Sequence, residues 1–197
     1  MFHSNVAEQF GGGIKNKESS DLTVTNCSFS QNYVDTTDGG GAIFNDATSS
    51  SEVINSILWG DSGPGNQGTE IQGTATVSYS DVEGGADGEG NIDADPQFVD
   101  PNGGNLHLLS DSPCIDAGNS TPLLDAKITQ DLDGMMRYFD IVAVADTGVG
   151  LFEFVDMGAY EFQCSDIAGD INCDGVVNFK DMAILAANWL AGTEPEL

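Results

Sequence analysis

Positive charge is what this sequence lacks most: Lys and Arg number 5 against 32 Asp and Glu, for a formal net charge of −27. So acidic a surface repels phosphate backbones and anionic membranes, and nucleic acid is excluded as an expected partner. It suits divalent cations and salty extracellular media. Long apolar runs are also missing. No stretch approaches the ~18 apolar residues of a membrane span, so no membrane span is expected. Nor does an export signal follow Met1, because Phe2-His3-Ser4-Asn5 runs into Gly11-Gly12-Gly13 without an apolar segment. Histidine (2) and cysteine (4) are few and show no metal-ligand spacing, and there is no phosphate loop or nucleophile elbow.

What the chain has is glycine and apolar residues in short runs. Its 25 glycines fall in small clusters, the mark of many tight turns in an all-β chain. Hydrophobic content of 40%, with 10 Phe, argues against disorder despite the charge.

The first third repeats itself. Val24-Thr25-Asn26-Cys27-Ser28-Phe29 aligns with Val53-Ile54-Asn55-Ser56-Ile57-Leu58, a spacing of 29 residues. Gly11-Gly12-Gly13-Ile14-Lys15-Asn16 aligns with Gly40-Gly41-Ala42-Ile43-Phe44-Asn45 at the same spacing, and Phe2–Asn5 repeats the Phe-x-x-Asn landmark once more. A fixed period in this range is the signature of a solenoid. Leu22 and Val24 alternate like a strand with one buried face; Asn26 breaks the parity, and Cys27 and Phe29 resume it. Asn at a corner tolerates a left-handed backbone, and the glycines serve corners where a Cβ would clash. The expected fold is therefore mainly β: a right-handed parallel β-helix with a small α-helical calcium-binding module at its C-terminal end. Phe2, Phe29 and Leu58 are expected to stack as one inward ladder. An ordinary β-sandwich is the alternative.

Phe-x-x-Asn alternating with Gly-Gly-Ala-Ile resembles the repeats of polymorphic outer-membrane-type β-helix proteins. Further on stand Asp95-Pro96-Gln97-Phe98-Val99-Asp100-Pro101, Ser112-Pro113-Cys114-Ile115-Asp116-Ala117-Gly118 and Val155-Asp156-Met157-Gly158-Ala159-Tyr160-Glu161. With Ile57–Asp61 and Thr76–Gly85 these resemble the C-terminal portion of bacterial secreted β-helix proteins with a choice-of-anchor-type domain. The likeness runs over roughly residues 1–162 and implies a fold, not a reaction. The chain divides into 1–92, coils with repeats of about 29 residues; 93–163, C-terminal coils and cap; and 164–197, the calcium module. A first coil that begins mid-pattern, with no export signal before it, implies a truncated N-terminus on an extracellular or cell-surface protein. Its residues 1–20 are expected to fray or self-associate. Arg137 is expected to pair with a nearby carboxylate, such as Asp140 or Asp156, as a structural bond.

The strongest chemical motif is Asp170-Ile171-Asn172-Cys173-Asp174-Gly175-Val176-Val177-Asn178-Phe179-Lys180-Asp181. Oxygen side chains fall at loop positions 1, 3, 5, 9 and 12, with Gly at 6. Ca²⁺ takes six to eight oxygens, and the Gly permits the bend that folds them around it. Candidate metal ligands are Asp170, Asn172, Asp174, the Val176 carbonyl, Asn178 and Asp181. Val177 is expected to pack inward. Phe179, Met182, Ala183, Ala186, Trp189 and Leu190 then fall on one face of a helix.

Asp at position 12 and Asn at 3 and 9 make this EF-hand-type loop resemble a type I dockerin repeat. That resemblance implies a cohesin-like or cell-surface protein as partner. One complete repeat is present where dockerins carry two, which puts docking in doubt and leaves calcium binding intact. Cys173 holds a non-ligand position near Cys164; a disulfide at the loop entry and two unpaired residues both remain open. Cys27 and Cys114 are read as buried core.

Many β-helix proteins cleave acidic polysaccharides. A lyase needs a cation beside its substrate, and only Lys15, Lys17, Lys127, Arg137 and Lys180 are available, in no recognisable pattern. A glycoside hydrolase needs two positioned carboxylates, which so acidic a sequence cannot single out. His3 is isolated, and His107 in Leu-His-Leu reads as a surface strand residue. The favoured reading is a non-catalytic secreted or cell-surface protein that attaches to proteins or polysaccharide. Its rival is the C-terminal fragment of a dockerin-bearing polysaccharide-degrading enzyme, a lyase or glycoside hydrolase.

Overall fold

A computed structural model describes residues 1–36, 39–64, 69–141, 144–152, 154–163, 169–171 and 176–191, the side chains of 187–191 excepted. The chain is mainly β. Its first strands are β1 (Phe2–His3), β2 (Val6–Ala7), β3 (Ile14–Asn16), β4 (Asp21–Thr25), β5 (Ser28–Ser30) and β6 (Tyr33–Val34). The next are β7 (Ile43–Asn45), β8 (Ser50–Ile54), β9 (Ile57–Trp59), β10 (Ile71–Gln72), β11 (Thr74–Ser78) and β12 (Asp81–Val82). An antiparallel pair, β13 (Phe98–Asp100) and β14 (Asn105–Leu108), and two helices, α1 (Ser120–Ala126) and α2 (Phe179–Ala191), complete the description.

The strands of the first 82 residues pair in parallel in four sheets. They run β1-β5-β9-β12, β3-β7-β10, β4-β8-β11 and β2-β6. The chain enters these sheets in the same order on each pass and lies one strand further along at every return. Register follows the sequence landmarks: Phe2 faces Phe29, Phe29 faces Leu58, Val24 faces Val53 and Ile14 faces Ile43. Phe2 and Phe29 stack with ring centroids 4.5 Å apart and planes 6° from parallel. Such pairs add ~1 kcal/mol beyond the area they bury.

The corners follow the residue chemistry. Asn26 and Asn55 hold φ of 47° and 51°, a left-handed conformation that Asn adopts more easily than most residues. At the glycine corner the constraint is contact between passes, since a Cβ on Gly12 would lie 2.3 Å from the Gly41 carbonyl oxygen. Side-chain amides then bond from pass to pass, as in Asn16 Nδ2 to Asn45 Oδ1 at 2.9 Å and Asn5 Nδ2 to Asn32 Oδ1 at 2.7 Å.

Two apolar clusters share one wall. Strand side chains alternate in direction, and in β9 both faces are covered: Leu58 belongs to the cluster with Val24, Phe29, Ile43 and Val53, whereas Ile57 belongs to a second cluster with Leu106, Cys114, Ile115, Ile141 and Met157. Residues beyond 98 lie against that second face and bond to each pass in turn. His3 Nε2 meets the Pro101 carbonyl at 2.7 Å, Ser28 Oγ accepts from the Ala159 amide at 2.9 Å, and Cys114 Sγ lies 3.2 Å from Asp81 Oδ2. Cys114 is buried and Cys27 half-buried.

Candidate metal centre

The loop that the spacing marks for calcium leads into α2. Asp170, Val176, Asn178 and Asp181 are described; Asn172, Asp174 and both cysteines of the possible bridge, Cys164 and Cys173, lie outside the described residues. Asp181 closes the loop. Its Oδ1 accepts from the Ile171 amide at 2.8 Å and its Oδ2 from the Asn178 amide at 2.6 Å, which joins loop positions 2 and 9 through position 12. Asp170, the residue before Ile171, and Asp181 are both buried, 6% and 1% exposed.

Asn178 starts the helix: its Oδ1 accepts from the Lys180 amide at 2.8 Å, and its Nδ2 donates to the Val176 carbonyl at 3.0 Å. Asp170, Val176, Asn178 and Asp181 offer oxygens, the donor type that Ca²⁺ takes; those of Val176, Asn178 and Asp181 accept hydrogen bonds within the loop and helix. The apolar side of the module differs from expectation. Val177 is 51% exposed and does not pack inward, and Phe179 and Met182 of the anticipated helix face are 85% and 62% exposed. One loop and one helix supply no facing apolar surface among the described residues.

A second set of buried charges lies in the body. Arg137 is paired with a carboxylate, that of Glu161 and not Asp140 or Asp156: Nη1 lies 3.6 Å from Glu161 Oε2, and Nη2 donates to the Ala159 carbonyl at 2.7 Å. Asp156 instead binds backbone: its Oδ1 accepts from the Asp116 amide at 2.8 Å and its Oδ2 from the Phe162 amide at 2.6 Å. Asp140 stays at the surface. Burial first, then the Asp156 charge, pushes the Glu161 carboxyl up, against the pull of Arg137.

His107 is half-exposed in a shallow cleft that also includes Asp131, Asp133, Glu161 and Phe162. Its Nε2 meets Asp133 Oδ2 at 2.7 Å, its Nδ1 meets Asn105 Oδ1 at 2.6 Å, and its ring stacks on Tyr160 with centroids 3.9 Å apart. Asp131 holds the backbone, with Oδ1 accepting from the Asp133 and Met135 amides and Oδ2 from that of Glu161. The acids of this cleft thus carry structural bonds.

No family model, curated protein or solved structure matches this chain. Its chemistry must be read from its own residues.

Sequence reasoning did not single out Asp116, Asp140 and Asp146, whose carboxylate oxygens lie within 4.8 Å of one another. The available signal was an acid inside an apolar run, Cys114-Ile115-Asp116-Ala117. Burial, then the charges of Asp156, Asp146 and Asp140, pushes Asp116 up to about 8, while the Ile141 amide pulls it down.

Proposed function

We propose that this chain is a non-catalytic, secreted or cell-surface attachment protein, built as a right-handed parallel β-helix that carries a calcium-binding, dockerin-like loop and helix. The parallel sheets, entered in the same order on each pass, support the β-helix reading, and right-handedness follows from the bias of parallel crossovers. The observation that carries the calcium reading is the bridge from Asp181 to the Ile171 and Asn178 amides, because it brings the two ends of the loop together around buried carboxylates. Asp170, Asn172, Asp174, the Val176 carbonyl, Asn178 and Asp181 would hold the ion. Calcium would order the loop against α2 and so present the helix to a cohesin-like or cell-surface protein, or the body to polysaccharide. At free calcium 100-fold over its dissociation constant, linkage adds ~2.7 kcal/mol to the module.

Titration calorimetry of the full chain tests this. Loss of one bound calcium per chain on combining Asp170→Ala with Asp174→Ala supports the loop as a site; an unchanged stoichiometry in that variant rejects it.

A further inference from the structure

We infer that Asp116, Asp140 and Asp146 form a second divalent-cation site, for calcium, in the body of the protein and separate from the loop at 170–181. Two observations meet here. The first is convergence: Asp116 meets Asp140 and Asp146, which share one later segment, with the carboxylate oxygens within 4.8 Å of one another. The second is that Asp116 is fully buried, and neither Oδ1 nor Oδ2 has a hydrogen-bond partner, with the Ile141 amide short of bonding geometry. A buried carboxylate without donors is costly, and a bound cation is one of the few groups that relieves it.

Among the described residues, none of the ion pairs reaches Asp116. Asp156, which also adds negative charge, directs its two oxygens at the Asp116 and Phe162 amides. The backbone fixes the arrangement: the Thr147 and Gly148 amides both donate to the Asp116 carbonyl at 2.9 Å, and the Val149 amide donates to Gly118 at 3.0 Å. Asp146 is therefore held beside Asp116 by its own chain neighbours. Three carboxylates with room for water on the exposed side of Asp140 and Asp146 suit a hard ion with oxygen ligands and flexible coordination, which favours Ca²⁺ over the stricter Mg²⁺.

The test starts from the full chain carrying Asp170→Ala and Asp174→Ala, stripped with chelator and titrated with CaCl₂ by calorimetry. One calcium per chain is expected to remain. Adding Asp140→Asn or Asp146→Asn, both at exposed positions, should weaken it at least about tenfold, since affinity follows ligand charge; adding both should abolish it. Circular dichroism checks that each variant is folded. A folded loop variant that binds no calcium overturns the inference, as does residual binding that survives Asp140→Asn with Asp146→Asn. Failure of the loop reading shows separately, as unchanged wild-type stoichiometry in the loop variant.

Discussion

The side-chain amide of Asn55 donates to Asn26 Oδ1 at 3.1 Å, and both residues hold left-handed backbones at equivalent corners of successive passes. Each corner is thus bonded to the next by the side chain that makes it possible. Asn55 is fully buried and does more: its Nδ2 also donates to the Asn119 carbonyl at 2.8 Å, and its Oδ1 accepts from the Asn119 amide at 2.7 Å. Asn26 Nδ2 reaches the Asp156 carbonyl at 3.1 Å. The two residues clamp the later chain onto the stacked sheets.

Asn55→Ala should therefore be among the most damaging single changes. It strands buried partners, at ~1–3 kcal/mol each, and places a Cβ without local hydrogen bonding at positive φ. A loss of about 4 kcal/mol is expected by urea denaturation. Asn55→Gly relieves the backbone alone and should lose less than Ala.

The same corner shows how far the sequence could be read. Its Asn and Gly landmarks revealed the passes at 14–30 and 43–59 because the chain repeats at 29 residues there. The pass at 71–82 lies within the coils expected over 1–92 but departs from that spacing. Tyr79 replaces Asn at the corner yet still holds φ of 46°, and Ser80 bonds to Ser56 across 24 residues, not 29. The shortening has a local cause: one residue, Gly73 at φ 95°, joins β10 to β11, whereas four separate β7 from β8. The acids at 116, 140 and 146 were illegible for another reason. They lie where no period links them, and only tertiary packing brings them together.

Arg137 and Glu161 are each 3% exposed. Removing one member of such a pair leaves the other buried without its counter-charge, which typically costs 3–5 kcal/mol. Burial already favours the neutral form of Glu161, so Arg137→Met is expected at the low end, about 3 kcal/mol, with the Ala159 carbonyl keeping only the Leu132 amide as donor. Adding Glu161→Gln should recover part of that loss. Simple additivity of the two changes would contradict the pairing.

Acidification should stabilise the protein over the range where carboxylates ordinarily titrate. Asp61 and Glu70 are 5% and 4% exposed, and Asp61 bonds to both the amide and the side chain of Asn32. Burial raises both carboxyls, and for Glu70 the Asp61 charge adds to it. The folded state therefore binds more protons than the unfolded one above the ordinary carboxylate value of about 4, and stability falls as pH rises from there toward the folded values. Asp81, pushed up to about 7 chiefly by burial, acts in the same direction. With calcium chelated, the denaturation midpoint should be higher at pH 5 than at pH 8. Glu70→Gln should flatten the trend, because a neutral amide replaces the acid that must keep its proton. An unchanged slope in that variant would remove the pair as the cause.

Asn178 combines two roles that substitution can separate. As the residue before α2 it accepts from the Lys180 amide, and as loop position 9 it belongs to the proposed calcium donor set. Asp is as good an N-cap as Asn and adds a charge for the cation, whereas Ala does neither. In chelator, Asn178→Asp should keep the helical signal at 222 nm and Asn178→Ala should lower it, by about 1 kcal/mol of helix stability. With calcium present, Asn178→Asp should bind at least as tightly as the parent, and Asn178→Ala should bind more weakly than its capping loss alone explains. If Ala loses helix in chelator but binds calcium as the parent does, Asn178 is a cap and not a ligand. The donor set would then rest on Asp170, Asn172, Asp174, the Val176 carbonyl and Asp181.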